Sequence, residues 1–362
     1  MTAQPPISNL ALDTNALANL KKQIKTWGRE FGFDAVGISD GDVGIHEQHL
    51  HKWLSNGMHG EMDYMQKHGT KRTRPHELVE GTISVVSVRM DYAPADIKQA
   101  EHMLEQHDLG YISRYALGRD YHKVLRSRLK KLAKRIEQEI GDYGYRVFTD
   151  SAPVMEKALA EKAGLGWIGK HSNLLDSKTG SWFFLGEIYL DLPLVSDKAA
   201  TNHCGTCKKC IDICPTQAII GPYQVDARLC ISYLTIELKG SIPVELRSKM
   251  GNRIYGCDDC QFVCPWNKFA QTSREPDFTP REHLTDRKLT ELFHWSEDEF
   301  LKNTEGTAIR RIGYQSWLRN IAIALGNEET NDDVISALNS RKAGASALLL
   351  EHIEWAIAQH SI

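Results

Sequence analysis

A chain of 362 residues, 41% hydrophobic and 25% charged, is long enough to bury a large core and to divide into two or three domains. Its net charge of −3 excludes a protein whose overall basicity would announce nucleic acid. No apolar run approaches the ~18 residues of a membrane span, and the opening residues hold neither an apolar signal core nor a twin arginine, so a cytoplasmic protein outside any membrane is expected.

In chain order, residues 13–32 read as an amphipathic helix, with Ala16, Leu17, Leu20, Ile24 and Trp27 at helical spacing and Gly32 as its stop. Residues 33–39 read as a short strand. Residues 51–65 suggest a helix, a glycine-rich turn and a second helix, which Arg72-Thr73-Arg74-Pro75 breaks. The apolar run 83–88 predicts a buried strand. A loop over 111–122, dense in polar and aromatic groups, leads into a helix over about 121–140. Leu125, Leu129, Leu132, Ile136 and Ile140 form its apolar face. Lys123, Arg126, Arg128, Lys130, Lys131, Lys134 and Arg135 occupy the rest, either as a solvated face or as a salt-dependent contact to a phosphate backbone.

Residues 146–150 read as a strand ending in Asp150, and Pro153 opens a helix through Ala163 that Asp150 could cap. Residues 164–173 form a glycine-rich loop without the ending of a Walker motif. Its glycines at 164, 166 and 169 would let the backbone approach a flat or bulky ligand. With a further strand over 181–190, the alternation predicts an α/β or α+β domain over residues 1–195.

All eight cysteines then fall within residues 204–264. Cys204, Cys207, Cys210 and Cys214-Pro215 follow the Cys-x2-Cys-x2-Cys-x3-Cys-Pro run of bacterial ferredoxins, whose fourth cysteine ligates the other cluster. Cys257, Cys260 and Cys264-Pro265 repeat it one cysteine short, and Cys230 supplies the missing ligand. We assign one [4Fe-4S] cluster to Cys204, Cys207, Cys210 and Cys264, and the other to Cys214, Cys230, Cys257 and Cys260. Structural zinc does not explain the two Cys-x3-Cys-Pro endings, disulfides suit a short secreted chain, and a single cluster leaves thiols over. Beyond this module lie short helices over 288–302, 331–339 and 343–360, with breaks and small-residue packing that suggest a HEAT-like helical pair. Trp317 and Trp355 read as core, while Arg310, Arg311 and Arg319 could reach phosphates.

Five stretches taken together resemble the epoxyqueuosine reductase family over about residues 15–360: the cysteine run with Cys230, residues 115–122, residues 149–156 around Asp150, residues 163–170, and residues 318–327. The resemblance implies an α+β chain in three parts. These are an N-terminal α/β cobalamin-binding domain similar to reductive dehalogenases (1–195), a ferredoxin-like module with two [4Fe-4S] clusters (196–275), and a C-terminal HEAT-like helical domain (276–362). It implies reduction of epoxyqueuosine to queuosine at the wobble position of tRNA with a GUN anticodon, by a monomer fed from a low-potential electron donor. Asp150 becomes the candidate acid, and with Arg72, Tyr115, Asn173 and Ser181 a corrinoid contact; His122, Lys170 and Trp182 follow. His46, His51 and His59 lack the context of a cobalt-ligating histidine, and the family needs none. Two other readings stand beside this one. A cluster-carrying electron-transfer protein would leave some 195 N-terminal residues idle, and a corrinoid-dependent dehalogenase would call for an export signal.

Overall fold

The structure, a computed structural model, describes residues 13–95 and 97–361; the outermost residues of the first and last expected domains lie outside the described residues. Its centre is a four-stranded sheet of β1 (Ala35–Ser39), β2 (Ser84–Asp91), β3 (Tyr145–Phe148) and β4 (Phe183–Leu190), in the order β1-β2-β4-β3. Every pairing is antiparallel. The α/β description of this part is therefore corrected to α+β: antiparallel neighbours need no helical crossover, and the helix Ile45–Ser55 returns the chain to the end of the sheet it left. Register places Glu187 of β4 opposite both Ser87 of β2 and Phe148 of β3.

β2 and β4 are buried almost throughout because both faces of the sheet are covered. Helix α1 (Thr14–Glu30) and helix α2 (Tyr121–Ile140) cover one face, burying Leu20, Ile24, Leu125, Leu129 and Ile136 against Val86, Val88 and Ile188. Asp13 caps α1 by accepting from Ala16 N–H at 2.7 Å. Asp120 caps α2 by accepting from His122 N–H at 3.1 Å, which fixes where Tyr121 and His122 emerge. Helix α3 (Glu156–Lys162) covers the other face. It starts at Glu156, not near Pro153, because residues 149–154 are used in tight turns, with Ser151 N–H bonded to Thr149 O and Val154 N–H to Ala152 O. Met155 precedes the helix, so Asp150 is not its cap. The second helix expected within 51–65 is only a 3-10 turn, Asp63–Met65, after Gly57 and Gly60 take positive φ.

The cysteine module carries the short helices α4 (Lys209–Ile213), α5 (Ile231–Ile236) and α6 (Asp259–Phe262). The strand Arg253–Tyr255 pairs in parallel with Tyr111–Ile112 of the N-terminal part. The C-terminal helices are α7 (Tyr314–Gly326), α8 (Asp332–Ser340) and α9 (Ala347–Gln359). Trp317 of α7 is wholly buried beside Trp295 and Phe300, a burial that stabilises by about 3 kcal/mol. One core joins these helices to Ile112, Ala116 and Leu117 from the N-terminal part and to Ile236, Ile254 and Tyr255 from the module. Phe278 packs on Phe184 in the core of the sheet. Packing thus crosses the expected boundaries near 195 and 275.

Candidate active site

All eight thiols are free, none in a disulfide. Burial raises the Cys210 thiol to about 11, and Cys264, Cys204 and Cys207 are the neighbours that add to it. Burial likewise raises Cys257 and Cys260, each with Cys230 beside it, and Cys230 has Cys214 as its neighbour. Cys260 also has Cys210 of the first run among its neighbours. The Lys170 ammonium straps the first loop by donating to Gly205 O at 2.7 Å and Cys207 O at 2.8 Å. Asp258, next to Cys257, accepts from Tyr111 OH and Ser113 Oγ, each at 2.7 Å, and from Arg114 N–H at 2.8 Å.

Between the module and the sheet opens a cleft of ≈370 Å³. Tyr92, Tyr115, Tyr121, Phe183 and Phe184 form its aromatic wall, Asp150 one end, and Ser232, Tyr233, Glu237 and Arg311 the opposite side. Ser232, two residues after Cys230, brings the segment that follows that cysteine to the cleft. A larger hollow of ≈610 Å³ lies elsewhere, between residues 105–108 and 328–333. Its lining is mostly acidic, with no thiol and no aromatic ring, so the chemistry belongs to the smaller cleft.

Asp150 stands at φ 51°, a left-handed conformation few non-glycine residues adopt. Its side chain is 55% exposed, and it lines the open cleft. Tyr121 OH donates to its carboxylate, and His122 Nε2 lies 3.2 Å away. Asp120 holds the other ring nitrogen of His122 at 2.7 Å. Burial alone would raise the Asp150 carboxyl, but the hydrogen bonds from His122 and Tyr121 outweigh it and hold the acid below its ordinary value. For His122, burial works against charge, but hydrogen bonds to Asp120 and Asp150 lift it to about 9. The pair is therefore an imidazolium beside a carboxylate, with its proton on His122.

Two further carboxyls stand behind Asp150. Glu156 accepts the Asp150 N–H at 2.5 Å, and burial, then the Asp150 charge, push its carboxyl up to about 8. Glu187 is wholly buried in β4 and is raised well above its usual range by burial, then by Glu156. Neither glutamate was singled out from the sequence. Glu156 sits inside a quoted motif, but a lone Glu187 in an apolar strand gave no signal beyond its oddity there. Lys157, held by Ser172 O at 2.8 Å and Asn173 Oδ1 at 3.2 Å, is lowered by burial.

The other expected contacts divide. Tyr115 lines the cleft, with its hydroxyl on Tyr255 OH at 3.3 Å. Arg72 is buried and in no ion pair among the described residues; it donates to Tyr64 O at 3.0 Å and Met65 O at 3.3 Å. Asn173 reaches the site through Lys157. Ser181 is buried, and its hydroxyl is fully engaged by Asn267 and Gln261 of the module, which leaves it no lone pair for a ligand. Trp182 is buried against Phe262. The glycine-rich loop does not approach a ligand through the glycines expected to do so. A Cβ at Gly166 would lie 2.3 Å from Leu175 O, and one at Gly169 2.6 Å from Leu175 Cδ1, so both serve packing within their own hairpin. Arg319 cannot reach a phosphate: it is wholly buried in α7, donating to Leu234 O, Leu238 O and Gly240 O at 2.8 Å each.

Residues 72–151 match the family model described as epoxyqueuosine reductase QueG, DUF1730, and residues 203–267 match a 4Fe-4S double cluster binding domain. An epoxyqueuosine reductase of Pseudomonas aeruginosa is 56% identical over 361 residues, covering 99% of each chain. One of Escherichia coli is 58% identical over 348 residues, covering 96% of this chain and 90% of the relative. Among solved structures, an epoxyqueuosine reductase from Bacillus subtilis, with its Asp catalytic loop swung out of the active site, superposes with a TM-score of 0.84 at 27% identity over 95% of this chain and 91% of that one. An epoxyqueuosine reductase with a tRNA-Tyr epoxyqueuosine-modified stem loop gives 0.80 at 25% identity over 96% and 100%.

Proposed function

The chain belongs to the epoxyqueuosine reductase family, and from that premise we propose how its own residues carry the reaction. It is an oxidoreductase that reduces epoxyqueuosine to queuosine in tRNA. The product is an alkene, so two electrons and two protons enter and the epoxide oxygen leaves as water. The observation that carries the reading is the meeting, across one cleft, of the Asp150–His122–Tyr121 group with the segment Ser232–Glu237 that follows Cys230.

The residues fit the implied groups. Two sets of four thiols suit two [4Fe-4S] clusters. The aromatic wall and the buried, acid-free guanidinium of Arg72 suit a large flat corrinoid with polar edges. His122 has both ring nitrogens engaged by carboxylates, so no imidazole in the cleft is free for cobalt, as a base-off cobalamin without a histidine ligand requires. Bound there, clusters and corrinoid supply the low-potential electrons that the cleavage needs. Arg72, Tyr115 and Asn173 line or brace that chamber, and Ser181 fastens its far edge to the module.

The protein's own task is the proton. His122 stores it, and Asp150 sits between His122 and the cleft to pass it to the epoxide oxygen. Filling the cleft removes water from Asp150, so burial then acts against its charge and favours transfer onward. The solved relative whose Asp catalytic loop is swung out of the active site supports this role for Asp150 on its strained turn. Lys123, Arg126, Lys130, Lys131 and Lys134 lie exposed along α2, and Arg310 beyond the module; these form the contact to the tRNA stem, while the wobble base of the GUN anticodon loop enters the cleft. The HEAT-like C-terminal helices complete that docking surface. The protein works in the cytoplasm as a monomer fed by a low-potential donor. Nucleoside analysis of tRNA from cells lacking this protein tests the reading: epoxyqueuosine accumulates if it holds, and unchanged queuosine overturns it. A purified, reconstituted protein that shows no corrinoid bands after cobalamin is added overturns the cofactor assignment.

A further inference from the structure

The reduction draws two electrons from outside the protein, and the two thiol loops are not equally open to a donor. Between the thiols of the second loop, Asp258 and Asp259 are buried, and Cys230 is followed by Ile231, also buried. Between those of the first, Gly205, Thr206, Lys208 and Lys209 are all exposed. A set of contacts gathers a surface around this first loop. The buried Lys170 holds it at Gly205 O and Cys207 O, and the Lys170 carbonyl accepts the Tyr223 N–H at 3.0 Å. Tyr223 OH accepts from Asn202 Nδ2 at 2.9 Å, two residues before Cys204. The His203 ring meets Trp266 at 5.9 Å, and Trp266 meets Phe269 at 6.1 Å. Lys268 Nζ lies over the Phe269 ring at 4.7 Å. Tyr223 and Phe269 are exposed, as is Ile213 at the end of α4. Lys208, Lys209 and Lys268 are exposed with them, their ammonium groups in no ion pair or hydrogen bond among the described residues. From residue 202 to 225 and from 264 to 270 the only acid is Asp212, and Asp226 beyond it is buried on Arg228. The face is cationic on a chain whose net charge is −3. Within the module α4, which carries Cys210, packs on α6, which carries Cys260.

We propose that this face is the docking site of a small acidic protein that carries one electron at a time, and that electrons enter the molecule here. The proposal rests on the two-cluster reading above. In each encounter one electron leaves the carrier and enters the cluster of the first loop. No bond forms or breaks, and two encounters supply the pair that the reduction consumes. Exposed apolar side chains interleaved with free ammonium groups have the composition of a protein interface. Redox encounters are brief and bury less than about 1,200 Å² in all, so a patch of this few residues suffices. The three ammonium groups steer an acidic carrier toward the loop and turn a basic one away. Onward, the contact of α4 with α6 leads from Cys210 to Cys260 and the second loop. A tRNA is the other polyanion that three lysines could draw, but its place in the reading above is along α2 and over the cleft, which none of these lysines lines.

The test follows the bleaching of the cluster absorbance directly. Cluster-loaded protein is mixed in stopped flow with a fully reduced acidic flavodoxin over a range of salt concentrations. Wild type should be reduced fastest at low salt and progressively more slowly as salt screens the encounter. The triple variant Lys208→Glu, Lys209→Glu, Lys268→Glu should be reduced at least about tenfold more slowly at low salt, with the gap closing at high salt. Lys268→Glu alone, which lies off the thiol loop, should lose about threefold and decides the matter if the triple variant does not hold its clusters. Photoreduced deazariboflavin, an uncharged reductant, should bleach all three proteins at one rate, and their affinity for a tRNA stem loop should be equal. Equal rates with flavodoxin for wild type and variants, a wild-type rate indifferent to salt, or no reduction of wild type by flavodoxin each overturns the proposal. A loss confined to tRNA affinity gives the face to RNA and overturns it likewise. Wild type that flavodoxin reduces but that forms no queuosine on epoxyqueuosine-containing tRNA would instead sink the reading of the reaction and leave the docking face standing.

Discussion

Asp150 carries strain and charge at the same point, and each has a consequence. Its φ of 51° is held by neighbours that its own carboxylate and amide recruit: Tyr121, His122 and Glu156. Asp150→Asn keeps the shape but loses the route for the proton, so turnover should fall at least ~100-fold while corrinoid and cluster absorbance persist; wild-type turnover would remove Asp150 from the chemistry. The ion pair also predicts a pH signature. The folded protein binds the His122 proton more tightly than the unfolded chain does, with a pKa of about 9 against 6.5. The stability it contributes is therefore fully present below pH 6.5 and disappears as pH rises through about 9. Melting temperatures of wild type and His122→Gln should differ most at the acid end of that window and converge above it. Asp150 was singled out in the sequence through its motif. Its ionised resting state was not, because it depends on Asp120 fixing one imidazole nitrogen so that the other meets Asp150, a relation between side chains that spacing does not encode.

Among the elements, helices were read more reliably than the reasons for their composition. The apolar face of α2 was legible from its 3.6-residue period, and the helix lies where that period places it. The same logic misplaced Arg319, since an arginine among apolar residues on α7 looks like a surface cation until the facing loop is known. Burial pushes its guanidinium down to about 10, and its donors hold one backbone carbonyl in α5, Leu234, and two just after it, Leu238 and Gly240. Arg319→Leu should therefore cost about 3 kcal/mol in denaturant unfolding, whereas Arg310→Glu should leave the midpoint unchanged. Equal midpoints for the two would refute a structural Arg319. The glycine-rich loop misled in a similar way. Glycine marks a close approach, but the sequence cannot say whether a ligand or, as with Gly166, the chain's own Leu175 does the approaching. The antiparallel sheet was ambiguous for a related reason, because alternation of strands and helices does not fix strand direction.

For the whole molecule, the cysteine ledger was the most legible feature: the stretch that holds all eight thiols is the one that matches a 4Fe-4S double cluster binding domain. What spacing could not show is that the N-terminal segment 112–117, the module and the C-terminal helices share one core through Ile112, Tyr255 and Trp317. The basic side of α2 adds a prediction at this scale. Reversing Lys130, Lys131 and Lys134 to Glu should weaken binding of a tRNA stem loop and reduce the slope of log affinity against log salt by about 2; an unchanged slope would move the RNA to another face. The anchoring of Asp258 to Tyr111, Ser113 and Arg114 reaches further than the site. Those three residues leave the ribosome long before Cys257 and Cys260, so the last ligands can settle only onto a segment already made and in place. Iron retention thereby becomes a check on the biogenesis of the cysteine-free N-terminal half. A lesion at Ser113, remote from every thiol in sequence, should surface as a protein that leaves the cell short of iron.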